Sequence, residues 1–518
     1  MIRSTLAAIS IIMTQSVSVR PILKVAVIGA GAGGLIAADV LKNDGFDVVI
    51  FEREPNVGGV WKYKEPKEGS SSTPMYKSLR TNLPKQIMAY SYDTPFPDTD
   101  RSFLTHQNVQ LYLEDFAERN SILPLIRFGR SVVSISSESG GRENLINSKS
   151  GAADDSNSPS FQQSWKIQTV STVSLPHSAS GDECSQNSNN VDYFDAVVVC
   201  NGHYNIPLTP LMSQANAFGN FRGEVMHSID YDGPDAFKGK SVLVVGGKSS
   251  GTDLAREIAS VAHAVYASDR STKLGVAISH GNIHLKPGIK SLNYDAVSDS
   301  TADSTCRSGL VQFTDQSVAK VDIVLWCTGY AYDYPFLFPV KRVDTADSVS
   351  SDLQSDVLNS VKVENKRKVC NLYQQVFSIS EPTLSFVGLP YSVVPFPLFH
   401  MQAKWIAAVY AGRKMLPSKE EQSEWLQEYE AEVLSKFNGS EETAIQKFHF
   451  LDKAQWKYRR FLARAAGLDS DKEMKYIDAT EQIYNDTSSI RPPYVGAPDT
   501  YRNYEYQLDY ETFEWTRQ

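Results

Sequence analysis

The stretch KVAVIGAGAGGLIAADVLKNDGFDVVIFERE, residues 24–54, decides the fold. The apolar run of residues 25–28 predicts a buried strand of a parallel sheet. A glycine-rich loop follows, then a pattern with helical spacing that stops at Gly45, and then a second apolar strand that ends in Glu52. This order of strand, loop, helix and strand predicts a dinucleotide-binding βαβ unit.

Three glycines of the loop, Gly29, Gly31 and Gly34, fit the pattern G-x-G-x-x-G. The first permits a tight turn, the second lets the backbone approach a pyrophosphate, and the third lets helix and strand pack closely. The phosphates then meet the helix N-terminus, where unpaired N–H groups favour negative charge. Glu52, 23 residues after Gly29, is expected to accept hydrogen bonds from a ribose hydroxyl. A glycine turn without a ligand is the alternative, and the complete order of elements disfavours it.

The pattern returns in KSVLVVGGKSSGTDLAREIASVAHAVYASDR, residues 240–270. Gly246 and Gly251 take the first and third glycine positions, and Asp269 again stands 23 residues after the first glycine. Lys248 occupies the middle position, which weakens the fingerprint because a side chain stands where close backbone approach is wanted. A lysine at this position can instead meet a phosphate itself.

The charges at the end of this second unit bear on the kind of nicotinamide cofactor. Asp269 suits an unmodified ribose, whereas Arg270 and Lys273 suit a 2′-phosphate. The residues therefore leave NADH and NADPH both open, and a solvated strand end without a ligand is the alternative. Two dinucleotide sites in one chain imply two cofactors that exchange electrons, and a flavin in the first site with a nicotinamide in the second is the natural division.

Two similar segments flank the second unit: FDAVVVCNGHYNIP, residues 194–207, and VDIVLWCTGYAYDYP, residues 321–335. Each is an apolar strand that ends in Cys-x-Gly, so we interpret them as the points where the chain leaves and re-enters the first domain. The predicted fold class is α/β, with two Rossmann-like dinucleotide-binding domains, the nicotinamide domain being inserted into a discontinuous flavin domain. The expected ranges are 1–20 for a leader or disordered start, 21–207 and 322–470 for the flavin domain, 208–321 for the nicotinamide domain and 471–518 for a tail.

Coarser patterns occupy the residues between the first unit and the first crossing. They predict a helix at NVQLYLEDFAERN, residues 108–120, and strands at SVVSISS, residues 131–137, and WKIQTVS, residues 165–171. The Ser/Gly/Asn-rich residues 138–163 cannot bury a core and predict a surface loop.

The composition is that of an ordinary globular protein, with 42% hydrophobic and 21% charged residues among 518. A chain of this length exceeds what one hydrophobic core usually supports, which predicts at least two domains. The net charge of −9 argues against a nucleic-acid-binding protein. The five cysteines include no C-x-x-C pair, which argues against a disulfide scaffold, a zinc ribbon and a dithiol-disulfide flavoenzyme.

The start of the chain, residues 1–24, carries three basic residues, several serines, no acid and one short apolar run. That run is shorter than the roughly 18 apolar residues of a spanning helix. A signal peptide, a transit peptide and a disordered start are the alternatives, with a cytoplasmic location as the first expectation. No later stretch is long and apolar enough to predict a membrane span.

Just ahead of the second glycine loop the chain has FRGEVMHSIDY, residues 221–231. The spacing F-x-G-x-x-x-H-x-x-x-Y between two Rossmann fingerprints resembles the identifying sequence of flavin-containing monooxygenases. In this family the motif positions the linker between the domains and does not perform the chemistry. The related Baeyer–Villiger monooxygenases typically carry Trp at the last position, so the tyrosine here favours heteroatom oxidation. The matching residues are Phe221, Gly223, His227, Ser228 and Tyr231.

Three further segments are similar to the same family. KSLRTNLPKQIMAYSYDTPFP, residues 77–97, resembles the segment that brings an asparagine to the flavin, here Asn82. CNGHY and CTGY resemble its two domain crossings, and VPFPLFHMQAKW, residues 394–405, resembles its late flavin-domain helix. The resemblance runs from about Lys24 to Lys414, in the compact form of fungal and plant members, and we assign no catalytic role to the remaining tail.

The resemblance implies a monooxygenase that depends on FAD, NADPH and O₂. Such an enzyme oxygenates a nucleophilic nitrogen or sulfur of a small molecule through a C4a-hydroperoxyflavin. Asn82 is then the candidate catalytic residue, because a carboxamide donates and accepts hydrogen bonds together, and an asparagine that merely turns the chain is the alternative. No metal site and no nucleic-acid partner are expected, and a homodimer is possible. The predicted cofactor-binding residues are Gly29, Gly31, Gly33, Gly34, Glu52, Gly59, Trp61, Asn82, Gly246, Lys248, Ser249, Ser250, Gly251, Arg270, Thr328 and Gly329.

Other functions compete with this one. A Baeyer–Villiger or a substrate-specific N-hydroxylating monooxygenase uses the same flavin chemistry in a different substrate pocket. A redox-sensing protein that holds FAD without turnover is the alternative outside enzymology, because Lys248 departs from the fingerprint. A two-nucleotide disulfide reductase is disfavoured by the missing C-x-x-C pair.

Overall fold

The computed structural model describes residues 23–65, 73–139, 163–172, 190–209, 221–270, 279–294, 308–337, 361–492 and 498–518. The expected leader, Cys184, Lys273 and Cys306 lie outside these residues, as does nearly all of the polar stretch 138–163.

Helices of the described residues carry the following bounds. The α-helices are α1 (Ala32–Asn43), α2 (Lys85–Met88), α3 (His106–Arg119), α4 (Ser249–Ala259), α5 (Pro395–Tyr410), α6 (Lys419–Lys436), α7 (Glu441–Gln446), α8 (Ala454–Ala466) and α9 (Asp471–Ile490). Single 3₁₀ turns lie at Gly59–Trp61, Leu123–Leu125, Ser228–Asp230, Asp235–Phe237 and Tyr501–Asn503.

The strands are β1 (Lys24–Ile28), β2 (Asp47–Phe51), β3 (Ile126–Arg127), β4 (Arg130–Ser139), β5 (Gln163–Ser171), β6 (Asn190–Phe194), β7 (Ala196–Val199), β8 (Ile206–Pro207), β9 (Glu224–His227), β10 (Ser241–Val245), β11 (Ala264–Ser268), β12 (Ser279–His280), β13 (Ile283–Lys286), β14 (Ile289–Tyr294), β15 (Gly309–Phe313), β16 (Val318–Val321), β17 (Ile323–Trp326), β18 (Tyr330–Ala331), β19 (Val363–Glu364), β20 (Lys368–Val369), β21 (Leu372–Tyr373), β22 (Phe377–Ser378), β23 (Leu384–Phe386), β24 (Tyr506–Leu508) and β25 (Trp515–Arg517).

The first large sheet has the order β21-β22-β23-β7-β1-β2-β3, and β1 lies near its middle. β1 pairs in parallel with β2, where Lys24 faces Asp47, and with β7, where Val25 faces Ala196. Helix α1 packs on this sheet and against α5 and α3. The run of small and apolar residues in α1, AGGLIAADVLKN, suits this position because eight of its residues are buried. The fold class is therefore the predicted α/β type, with the first glycine loop at the carboxyl end of β1.

The second large sheet has the order β12-β13-β11-β10-β17-β9. All of its pairings are parallel except the one between β12 and β13. β17 belongs to this sheet because Ile323 pairs with Val242 of β10 and with Glu224 of β9. The sequence predicts a return to the flavin domain at residue 322, and the structure corrects this boundary, because the chain leaves the second sheet only after Trp326.

Two smaller antiparallel sheets complete the domains, with the orders β4-β5-β6 and β14-β15-β16. The helix expected at residues 108–120 is α3, and the strands expected at 131–137 and 165–171 lie within β4 and β5. Helices α8 and α9 pack on each other, and α8 also packs against α5. No helix of the described residues is long and apolar enough to cross a membrane.

Candidate functional site

The first glycine loop forms a tight joint between strand and helix. Gly29 has φ +102°, and a Cβ atom there would lie 2.7 Å from the carbonyl oxygen of Cys200 at the end of the neighbouring β7. A Cβ on Gly34 would lie 1.8 Å from the Gly29 oxygen. Only glycine fits at both positions, because each substitution drives a carbon atom into backbone.

The loop leads into the N-terminus of α1 without a side-chain cap. Gly31 precedes the helix, no side chain caps it, and no acid stands in the first turn. Gly59 lies opposite, so close that a Cβ on it would come within 3.0 Å of the Gly31 Cα. The first N–H groups of a helix have no partner within it. This cradle of bare backbone fits the pyrophosphate of FAD.

Glu52 ends β2 beside this cradle, and 7% of it is exposed. Its two carboxylate oxygens accept hydrogen bonds from the N–H groups of Ala30 at 2.7 Å and Glu54 at 2.9 Å. Burial raises the pKa of Glu52, and the two N–H donors lower it in part. Each carboxylate oxygen has a second lone pair, so the group can also accept from a ribose hydroxyl.

Two other predicted residues of the first site make packing contacts. A Cβ on Gly33 would meet Val387 at 3.4 Å, so this position permits close approach of α1 to the residue that follows β23. The Trp61 ring stands edge-on to Phe396 at 6.2 Å between centroids. The cofactor role of both residues stays a prediction.

The second glycine loop repeats the joint of the first. Gly246 has φ +117°, and a Cβ there would lie 2.5 Å from the Cys327 oxygen at the end of β17. A Cβ on Gly251 would lie 1.7 Å from the Gly246 oxygen. Lys248 has φ −86° and ψ −175°, close to the φ −75° and ψ −175° of Gly31. The lysine therefore adopts the required backbone conformation without strain, and α4 begins after it with no side-chain cap and no acid in its first turn.

Four cations from both domains surround the start of α4. The ammonium groups of Lys248 and Lys447 lie 5.9 Å and 4.7 Å from the centroid of the same Phe450 ring. Burial lowers the pKa of Lys447, and the charges of Lys248, Arg367 and Arg270 lower it further. Burial likewise lowers the pKa of Arg367, and Arg270 adds to this effect.

None of these four residues, which we name the cation cluster, forms an ion pair with a carboxylate of the described residues. The Asp269 carboxylate opposes them in part, because it raises the pKa of Lys447. Four cations against this one acid, at a helix N-terminus, fit the phosphates of NADPH. Lys248 and Arg270 are predicted from the sequence, whereas Arg367 and Lys447 are not. These two stand far along the chain in no recognisable motif, so no local signal points to them.

Asn82 lies where the two domains meet. Its Nδ2 donates to the Ser249 hydroxyl at 3.2 Å, in the first turn of α4. The bond joins residues 167 positions apart, so the carboxamide serves more than a local turn of the chain. The exposed Ser250 follows Ser249 in the same turn. Asn82 thus stands between the first nucleotide domain and the start of the second glycine-loop helix.

The two crossings run side by side. β8 pairs antiparallel with β18, and the Leu208 N–H donates to the Gly329 oxygen at 2.9 Å. The Thr328 hydroxyl donates to the Leu208 oxygen, and the Arg367 guanidinium donates to the Thr328 oxygen at 3.2 Å. Thr328 and Gly329 therefore belong to the hinge between the domains and lie next to the cation cluster.

The F-x-G-x-x-x-H-x-x-x-Y motif makes packing contacts around β9. A Cβ on Gly223 would lie 2.5 Å from the Phe221 ring, so the ring requires a glycine there. The His227 ring lies 5.2 Å from the Tyr330 ring of the hinge, and burial lowers its pKa. Tyr231 stands edge-on to Tyr76 at 5.4 Å, and Ser228 is buried between these positions in the sequence. These contacts favour a role in holding the linker.

Comparisons with known proteins agree with this geometry. A family model described as "Flavin-binding monooxygenase-like" matches residues 22–149, 177–282 and 296–455. The protein "Flavin-containing monooxygenase FMO GS-OX-like 4" of Arabidopsis thaliana is 32% identical over 498 residues, which cover 92% of this chain and 93% of that protein.

Two solved structures share the architecture. The S-allyl-L-cysteine S-oxygenase of Allium sativum superposes with a TM-score of 0.70 at 29% identity, over 93% of this chain and 95% of that one. Tmm from Pelagibacter sp. strain HTCC7211 superposes with a TM-score of 0.66 at 20% identity, over 95% of both chains. The second likeness shows a shared fold.

Proposed function

Because the chain belongs to the flavin-binding monooxygenase-like family, we propose that it oxygenates a nucleophilic sulfur or nitrogen atom of a small molecule. It is a flavin-dependent monooxygenase that uses FAD and NADPH. The observation that carries the finer proposal is the contact between Asn82 and Ser249 at 3.2 Å. It brings a group that both donates and accepts hydrogen bonds to the place where the two nucleotide domains meet.

The choice of a heteroatom substrate has two supports. The Allium sativum relative is named as an S-oxygenase of S-allyl-L-cysteine. Tyr231 stands at the motif position where Baeyer–Villiger enzymes typically carry Trp, and its ring packs against Tyr76. Sulfur is the first atom to test, with an amine nitrogen as the second.

The protein's own residues supply binding, orientation and exclusion of water. The start of α1 and Glu52 suit the pyrophosphate and ribose of FAD, and the start of α4 with the cation cluster suits the phosphates of NADPH. FAD bound there would supply the oxygenation chemistry: two electrons from NADPH and one O₂ would yield one oxygen atom in the product and one molecule of water. The proposed role of Asn82 is to orient the reacting groups, since its carboxamide can donate through Nδ2 and accept through Oδ1.

The proposal is tested by product analysis with flavin-loaded protein and NADPH. A dialkyl thioether, a tertiary amine and a cyclic ketone are offered in separate reactions, and oxygenated product is counted by mass spectrometry against NADPH consumed. We expect close to one molecule of sulfoxide or N-oxide for each NADPH consumed, and no lactone from the ketone. Lactone as the main product would replace the proposal with Baeyer–Villiger oxidation. Absence of NADPH oxidation, with or without the three compounds, would support the redox-sensing alternative.

A direct test of Asn82 uses the Asn82→Ala variant, with Asn82→Gln as the conservative comparison. Because preorganised hydrogen-bond donors typically contribute about 100-fold to 1,000-fold in kcat, we expect a loss of product formation within that range for alanine and a smaller loss for glutamine. Hydrogen peroxide released per NADPH should rise in parallel. Unchanged product per NADPH in the alanine variant would remove Asn82 from the site.

A further inference from the structure

Two arginines of the C-terminal region hold the backbone that carries Asn82. The Arg502 Nε donates to the Thr81 carbonyl oxygen at 3.0 Å, and the Arg491 guanidinium donates to the carbonyl oxygen of Asn82 itself. Both arginines come more than 400 positions later in the chain. The two consecutive carbonyls at the candidate catalytic residue are therefore bound from outside their own segment.

The other end of Arg502 reaches the nicotinamide domain. Its Nη2 and Nη1 donate to the two carboxylate oxygens of Asp253 at 2.7 Å and 3.3 Å. Asp253 lies on α4, one turn after Ser249, which accepts the hydrogen bond of the Asn82 side chain. One guanidinium thus connects the Asn82 backbone to the helix that the Asn82 side chain contacts.

The position of Arg502 is itself fixed. The side chain is 6% exposed, and Asp499 also accepts a hydrogen bond from it. The Arg80 guanidinium donates to the Arg502 carbonyl oxygen at 3.0 Å. Four residues later in the chain, the Tyr506 N–H donates to the Ser102 hydroxyl at 2.7 Å. A buried guanidinium with a carboxylate partner on each side has little freedom to move.

Aromatic packing anchors the same region to the flavin domain. The Tyr501 ring stands edge-on to Phe103 at 5.3 Å, and both Arg491 and Arg502 lie over that ring at 5.8 Å and 5.0 Å. Phe103 precedes α3 and is fully buried. The guanidinium groups of both arginines are therefore held by the face of the Tyr501 ring as well as by hydrogen bonds.

We propose that Arg491 and Arg502 are positioning residues for Asn82, and that Arg502 also fixes the distance between the Asn82 segment and α4. The inference rests on the proposed role of Asn82. The C-terminal region then controls how much product is formed per NADPH consumed. The sequence alone assigns no catalytic role to this region. Loss of either arginine frees the Asn82 carboxamide to leave its place, and oxygen is then released as hydrogen peroxide.

The test compares Arg491→Ala, Arg502→Ala, Arg502→Lys and Asp253→Ala with a matched control, Arg517→Ala. Arg517 belongs to the same tail and pairs with Asp486 at 2.8 Å, but it contacts neither the Asn82 segment nor α4 in the described structure. Three quantities are measured: product and hydrogen peroxide per NADPH, melting temperature, and amide hydrogen exchange of the peptides that cover residues 79–88. The exchange experiment needs no turnover.

A displacement of about 1 Å at a catalytic group costs on the order of 100-fold in rate. We therefore expect Arg491→Ala and Arg502→Ala to lower product formation by about tenfold to 100-fold, with more peroxide per NADPH and faster exchange of residues 79–88. Arg502→Lys should fall between, because an ammonium cannot reach Thr81 and both oxygens of Asp253 at once. Asp253→Ala should raise the KM for NADPH without freeing the Thr81 carbonyl. Arg517→Ala should match the wild type in exchange at 79–88 and in product per NADPH.

The outcomes separate this inference from the proposed function. Suppose that product per NADPH falls in Asn82→Ala but stays at the wild-type level in both arginine variants. This result would overturn the positioning role and leave the proposed function intact. Wild-type product per NADPH in Asn82→Ala would overturn the role of Asn82 and with it this inference. If Arg502→Ala does not fold, the test rests on Arg491→Ala and Arg502→Lys. Unchanged amide hydrogen exchange of residues 79–88 in both variants would overturn the inference.

Discussion

Two glycines in equivalent positions allow the two nucleotide sites to be disabled one at a time. A Cβ would lie 1.8 Å from backbone oxygen at Gly34 and 1.7 Å at Gly251. Forcing atoms into a packed joint costs about 1–3 kcal/mol. We expect Gly34→Ala to lose bound flavin and Gly251→Ala to keep flavin but bind NADPH poorly, as measured by flavin absorbance and NADP⁺ titration.

The control for both variants is Gly233→Ala, because an added Cβ at Gly233 meets no atom within 4 Å. It should keep flavin content, NADP⁺ affinity and melting temperature. Flavin retained at wild-type level in Gly34→Ala would show that the joint at the first loop yields to a methyl group, contrary to the expectation.

Lys447 gives the affinity for NADP⁺ a dependence on pH. Burial and the neighbouring cations lower its pKa, so it loses its charge at a lower pH than a free lysine does. A bound phosphate raises that pKa again, and nucleotide binding is then strongest below the lowered pKa and weakens as the pH rises through it. We expect the Kd for NADP⁺ to increase on the alkaline side.

The Lys447→Arg variant keeps its charge throughout this range and should bind NADP⁺ with little change in Kd between neutral and alkaline pH. Lys447→Ala should bind about tenfold more weakly at neutral pH, since one charge-assisted hydrogen bond contributes about 1.5–3 kcal/mol. Equal pH profiles for wild type and Lys447→Arg would exclude Lys447 as the titrating group.

At the scale of elements, the start of α3 supports the Asn82 segment. Thr105 caps this helix and forms a capping box with Asn108, and the preceding Leu104 N–H donates to the Thr81 hydroxyl at 2.9 Å. Removing a threonine cap costs about 1 kcal/mol. We expect Thr105→Ala to lower the melting temperature of the flavin-loaded protein and Thr105→Ser to keep it, and equal melting temperatures in the two variants would refute the cap.

The sequence was a good guide where the structure depends on neighbours in the chain. The two glycine loops, their helices and the acids 23 residues after Gly29 and Gly246 form local units, so their order predicts them. β17 was assigned to the wrong sheet because an apolar strand before Cys-x-Gly carries no sign of which partner it pairs with. Arg367, Lys447, Arg491 and Arg502 were missed for a related reason: pairing between distant residues decides their role, and no spacing reports it.

At the scale of the whole molecule, each domain supplies two of the four residues of the cation cluster. The nicotinamide domain brings Lys248 and Arg270, while the flavin domain brings Arg367 and Lys447. Four like charges near one another repel, which disfavours close approach of the domains until an anion enters. A nucleotide bearing phosphates removes this repulsion and should therefore stabilise the assembled pair of domains.

We therefore expect NADP⁺ to stabilise the protein in a salt-dependent way. A ligand at 100 times its Kd stabilises the folded state by about 2.7 kcal/mol, and NADP⁺ at that level should raise the melting temperature of the flavin-loaded protein. Because the cation cluster is partly exposed, added salt screens its attraction for phosphate, so the shift at fixed NADP⁺ should shrink as ionic strength rises. NAD⁺, which lacks the extra phosphate, should give a smaller shift with a weaker dependence on salt.

The double variant Arg367→Ala, Lys447→Ala should respond to NADP⁺ as the wild type responds to NAD⁺. Equal shifts of the melting temperature for the two nucleotides at every salt concentration would mean that the cluster does not hold the extra phosphate of NADP⁺ and that the domains are joined by other contacts.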